Sequence, residues 1–180
     1  MIKDLLIFLC SIIAYVFLIF VPIYIYIKKK KSNDVFYYLR LKKNWRGGIL
    51  LGIIISAFYM TILVITGKYN NSLNLDFNIG IRWVTGLLVG VLEEIPFRGF
   101  LLRLFEEKFP FIKSNLFVTL LFVLMHFPTW ILNGTNIFEA IIKIGIVSFA
   151  FGYLTKEYDS LWPAIICHSV FNLSIWMGLA

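Results

Sequence analysis

The chain has 180 residues, is 60% hydrophobic and has a mean hydropathy of +0.85. That excludes an ordinary soluble domain, because its apolar runs approach the roughly 20 residues that a membrane-crossing helix needs. The net charge of +7 does not point to nucleic acid: eight of the 17 basic residues crowd into positions 28–46, directly after an apolar run, where such clusters set topology and meet anionic lipid.

The first apolar run, residues 5–27, is longer than a signal-peptide core and has no small-residue cleavage site before the four lysines at 28–31. It is therefore predicted to be a retained helix. Over 33–46, Val35, Tyr38, Leu41 and Trp45 recur at helical spacing among basic residues, the pattern of a short interfacial helix on the inner leaflet; a plain loop is the simpler alternative. Further apolar runs follow at 47–66, 79–102, 116–132, 138–155 and 161–179. The predicted fold is an all-α polytopic membrane protein of about six transmembrane helices plus the interfacial helix. Residues 1–78 form an N-terminal membrane region and 79–180 the core that carries the chemistry. Cys10 and Cys167 sit within apolar runs, match no disulfide or metal spacing, and read as small core residues.

The connections after the first, third and fifth spans hold twelve basic residues, whereas the opposite side has only Lys3 and Lys68. The positive-inside rule then makes the crowded side cytoplasmic and puts both termini outside.

Six polar side chains stand at membrane depth: Glu93, Glu94, Arg98, His126, His168 and Asn172. Ionisable groups there mark a functional site by default. Arg82 and Lys143 lie near predicted outer ends, within snorkelling reach of water, and Lys143 can pair with Glu139 at i,i+4. At 1.5 Å rise per residue, Glu93 and His126 fall ~15 Å from the cytoplasmic face, and His168 and Asn172 ~10–16 Å from it. Three helices therefore deliver polar groups to one layer, nearer the cytoplasm.

Glu94 and Arg98 share a face at i,i+4, as do His168 and Asn172, while Glu93 is turned about 100° from Glu94. Pro96 removes an amide donor beside them. A carboxylate and an imidazole suffice to activate a water, and a second imidazole with an amide suffices to stabilise an oxyanion. Each piece also has a structural reading: Glu94–Arg98 taken alone is architecture, and a lone His or Asn is a helix-to-helix hydrogen bond. Zinc is a further alternative, with two His and a Glu as ligands, which the spacing neither supports nor excludes. A transporter with a proton-relay layer is a third.

On these residues the sequence resembles the CAAX protease and bacteriocin-processing (CPBP, Abi) family of intramembrane proteases. Its three motifs match Glu93-Glu94-Ile95-Pro96-Phe97-Arg98, Phe122-Val123-Leu124-Met125-His126 and His168-Ser169-Val170-Phe171-Asn172. The match covers roughly residues 80–176 and leaves the first two spans without a motif. The resemblance implies a glutamate-dependent, metal-independent endopeptidase with no cofactor. Glu93 with His126 would activate the water, His168 and Asn172 would form the oxyanion site, and Glu94 and Arg98 would hold the geometry. It implies a peptide or membrane-embedded substrate in a lipid bilayer and, with an Ile-, Lys-, Asn- and Phe-rich composition, a bacterial plasma membrane. Bacterial relatives are associated with bacteriocin immunity and peptide maturation. A non-catalytic immunity or peptide-binding scaffold is the alternative function.

Overall fold

The computed structural model describes residues 2–179. Every element among the described residues is helical. A long N-terminal helix comprises α1 (Ile2–Tyr15), a π-helical stretch (Val16–Phe20) and α2 (Val21–Lys30). There follow α3 (Val35–Tyr38), α4 (Trp45–Tyr69), α5 (Arg82–Glu94), a second π-helical stretch (Ile95–Leu101), α6 (Leu102–Glu106), α7 (Phe111–Leu132), α8 (Ile137–Glu157) and α9 (Trp162–Trp176). Each of the six predicted apolar runs lies on a helix. Four of these are long and apolar enough to cross a membrane: Phe8–Lys30, Trp45–Tyr69, Phe111–Leu132 and Ile137–Glu157. The chain is thus a multi-pass membrane protein. The other two runs fall short for visible reasons: α5 to α6 is studded with charge, and α9 has only 15 residues.

The helix expected over 33–46 is a single turn. Asp34 starts it by accepting the Tyr37 amide at 3.0 Å, an N-cap. Arg40 and Asn44, with φ of 59° and 36°, take the left-handed conformation that a continuing helix does not allow. Its buried side faces the bundle, while Phe36 and Tyr37 are exposed. Of the predicted stripe, Val35 and Tyr38, joined by Leu39, pack against Ile23, Ile27, Ile95, Leu161 and Ile165, and Leu41 is partly buried against them, whereas Trp45 is exposed at the start of α4.

α9 is the centre of the bundle, packed against α4, α5 and α8. Small residues let backbones approach closely, which supplies dispersion contact where lipid offers no hydrophobic drive. A Cβ on Gly52 of α4 would meet Ile166 at 2.9 Å, and one on Gly90 of α5 would collide with the Ile165 carbonyl and Ser169. Cys167 is buried against α4, as expected, with its thiol toward Ser56 and the Gly52 carbonyl. Cys10 is exposed on the N-terminal helix rather than in the core, because that helix is packed along little of its length.

The three basic connections meet at one end of the bundle. Arg40 pairs with Asp159 at 2.9 Å and Glu106 at 3.2 Å, Lys43 with Asp159 at 2.7 Å, Lys156 with Glu106 at 2.7 Å, and Lys31 with Glu107 at 2.5 Å. Arg103 lies over the Tyr38 ring and donates to the Tyr38 carbonyl. Partial burial pushes the Asp159 carboxyl up, but Lys43 and Arg40 outweigh it and hold the group below its ordinary value. A depressed carboxyl contributes stability above the unfolded value of about 3.9 and loses it as pH falls through the folded one. Because Asp159 is half exposed, the contribution is under about 1 kcal/mol. The expected result is a small fall in melting temperature between about pH 5 and about pH 3 that Asp159→Asn reduces; identical profiles for the two proteins would refute it.

Candidate active site

Pro96 has no amide hydrogen to continue the α-helical ladder, and from Ile95 the chain adopts a π-helical turn through Leu101. Single π turns inside α-helices recur at functional sites. Here the turn follows directly on the two glutamates. Glu94 and Arg98 pair at 2.8 Å, as their shared face allows, and both are pulled into the bundle with no exposed surface. Glu93 points into a cavity of about 200 Å³ enclosed by α5, α7, α8 and α9, which His126, His168 and Asn172 also line. The four predicted chemical groups therefore share one space.

The buried network beneath it is tighter than spacing alone indicates. Glu94 Oε1 accepts from Arg98 Nη1 at 2.8 Å and from His168 Nδ1 at 2.7 Å. Arg98 Nη2 donates to the Ser148 carbonyl at 3.0 Å and to its hydroxyl oxygen at 2.6 Å, and Ser148 Oγ donates to Thr119 Oγ1 at 3.3 Å. The guanidinium stands 4.4 Å from the Phe122 ring centre, a cation–π contact strengthened by the absence of water. Glu94 thus holds two helices together as well as pairing with Arg98. Ser148 brings in α8, a fourth helix that carries none of the three motifs. A lone serine in an apolar run of α8 is its only trace in the sequence.

Each imidazole is oriented by its Nδ1. His126 Nδ1 lies 2.8 Å from the Phe122 carbonyl, and a carbonyl only accepts, so that nitrogen carries hydrogen and leaves Nε2 free. His168 Nδ1 is held by Glu94, with Nε2 facing Glu93 Oε2 at 3.7 Å. Glu93 Oε2 makes no hydrogen bond within the described protein, which leaves it available to a water or peptide. Asn172 donates one amide hydrogen to the His168 carbonyl at 3.2 Å and keeps the other. Phe122, Trp130 and Phe151 stack around the two histidines and fix the rings by packing. Of the two histidines, His168 approaches Glu93 closely enough for an ion pair; His126 shares the cavity without a hydrogen bond to it. No three His, Cys, Asp or Glu side chains among the described residues converge as a metal-ligand set.

A sequence model of the type II CAAX prenyl endopeptidase Rce1-like family matches residues 75–174, more than half of the chain. The chain belongs to this family. No curated protein and no solved structure matches it. The Rce1-like assignment makes the chain, at family level, a CAAX-type intramembrane protease, a hydrolase acting on peptide in a lipid environment. The matched residues begin in the loop before α5 and end within α9, so they contain every polar residue named in the cavity and its network. The N-terminal helix, α3 and α4 lie outside it.

Proposed function

We propose that the protein is a glutamate-dependent intramembrane endopeptidase, spanning a bacterial plasma membrane with six helices. Its basic end is cytoplasmic, and its cavity lies in the cytoplasmic half. The substrate is a peptide or a membrane-embedded segment. Residues 79–180 carry the chemistry, and 1–78 form a membrane region packed against it. The observation that carries the reading is Glu93 Oε2, buried without a hydrogen bond among the described residues, in a cavity shared with His126, His168 and Asn172.

Each residue then has a step. Glu93 takes a proton from a water as its oxygen attacks the scissile carbonyl, with His126 Nε2 orienting that water. The carbonyl becomes a tetrahedral oxyanion. His168, held at Nδ1 by Glu94 and protonated at Nε2, donates to this oxyanion together with the free Asn172 hydrogen. Glu93 returns its proton to the leaving amine as the C–N bond breaks. Glu94, Arg98 and Ser148 touch no reacting atom and hold His168 in place.

The test is cleavage of small-peptide precursors by purified protein in detergent, with and without a chelator and alongside His126→Ala. The expected result is cleavage that survives the chelator and drops by about 10²-fold or more in the variant. Loss with chelator and rescue by zinc would replace the glutamate mechanism with a metal one. Protection against a bacteriocin that persists in a cleavage-dead variant would instead assign a binding role.

A further inference from the structure

The peptide unit that joins Leu92 to Glu93 has a donor problem. In an α-helix the Leu92 carbonyl would accept from the amide of residue 96, but that residue is proline and has none. A carbonyl left unpaired at membrane depth is costly. The Tyr15 hydroxyl, from the N-terminal helix, donates to this carbonyl at 2.8 Å across 77 positions of sequence. Tyr15 ends α1, immediately before the π-helical stretch of that helix, and its ring rests against Phe20 at 5.8 Å. Tyr15 and Glu93 also line a second cavity of about 270 Å³, a groove between the N-terminal helix and α5 floored by Leu92 and Trp176. Glu93 stands between that groove and the polar cavity, so the turn of its own backbone decides which way it points.

From this we infer that Tyr15 is a positioning residue for Glu93. By holding the Leu92 carbonyl, it fixes the plane of the peptide that carries Glu93 and so aims the carboxylate at the cavity. The inference rests on the peptidase reading of Glu93. It extends the working site to a helix outside the family-matched region, and it assigns the N-terminal helix a part in catalysis beyond anchoring. A misplacement of about 1 Å costs on the order of 10²-fold in rate, and a peptide plane free to tilt produces a sizeable fraction of that.

The experiment is a cycle on the full chain: Tyr15→Phe, Pro96→Ala and both together, read by steady-state cleavage and by melting temperature in detergent. Tyr15→Phe removes one hydroxyl and nothing else. It is expected to lower kcat by about tenfold with KM within about twofold, because alignment and not binding is lost. Pro96→Ala supplies the missing amide, so in that background Tyr15→Phe is expected to change kcat by less than about twofold and to leave the melting temperature unaltered. 4-Aminophenylalanine at position 15, a donor of similar reach, is expected to restore kcat where 4-methylphenylalanine does not; this arm decides the matter should Pro96→Ala be inactive. Equal effects of Tyr15→Phe in the wild-type and Pro96→Ala backgrounds, or an unchanged kcat in Tyr15→Phe, would overturn the inference. If the wild-type protein cleaves nothing, the peptidase reading falls by itself. The melting cycle then still judges the pairing: coupling supports it and additivity refutes it.

Discussion

Arg98→Met is expected to destabilise the protein by about 3–5 kcal/mol, the range for removing one partner of a buried ion pair. The size follows from what is left behind. Neither Glu94 nor Arg98 has exposed surface, so without the guanidinium the carboxylate keeps only His168 Nδ1 at 2.7 Å. Ser148 loses the donor to its carbonyl and its hydroxyl at the same time, and Phe122 loses the cation on its face. Thermal unfolding in detergent would read this as a fall of many degrees. The double variant Glu94→Gln/Arg98→Met is expected to recover much of the loss, because no charge then remains unpaired in the interior. A double variant that is additive with the two single ones would show that the pair does not couple, and with it that Glu94 does not hold the network. Glu94→Gln alone is expected to leave the protein less stable than the wild type and to loosen His168, since a neutral amide oxygen holds an imidazole less tightly than a carboxylate does.

The parts of this network differ in how far the sequence displays them. Glu94–Arg98 is visible because i,i+4 spacing on a helix places both on one face whatever surrounds them. The same rule brings Lys143 to Glu139 at 2.7 Å on the surface. The convergence of Glu93, His126, His168 and Asn172 is visible because helix rise converts residue number into depth, and three helices agree on it. Ser148 and Tyr15 are hidden for the opposite reason. Each acts through a polar contact 50 or 77 positions away, which no spacing along its own helix advertises. The start of α7 is hidden too: Lys113, Ser114 and Asn115 look like loop and the apolar run begins at Leu116, yet the helix starts at Phe111. Ser114 and Asn115 are buried there because α8 presents Gly152, which leaves room for the Asn115 amide to donate to the Phe149 carbonyl at 2.9 Å. The single turn at Val35–Tyr38 marks another boundary of sequence reading. Its periodicity is real, but periodicity reports that a face is apolar and not whether lipid or protein covers it.

Glu93→Gln carries the largest expected effect on activity. The amide has the shape of the carboxylate and keeps one oxygen to accept a hydrogen bond, so substrate and water still bind and KM stays close to that of the wild type. It has no lone pair basic enough to remove a proton from water, and kcat is expected to fall by about 10²–10⁴-fold, the usual contribution of a positioned general base. The melting temperature is expected to hold, since Glu93 Oε2 has no hydrogen bond within the described protein to lose. This separates the variant from Arg98→Met, which loses activity by losing structure. Glu93→Asp refines the argument. The carboxylate is retained but withdrawn by one methylene, and an intermediate loss of kcat with a normal melting curve would show that the chemistry needs the group at this reach. If Glu93→Gln kept more than about a tenth of wild-type kcat, Glu93 would not be the base. The role would pass to the free Nε2 of His126, the other oriented acceptor in the cavity, and Glu93 would remain as the carboxylate that faces His168 Nε2 at 3.7 Å.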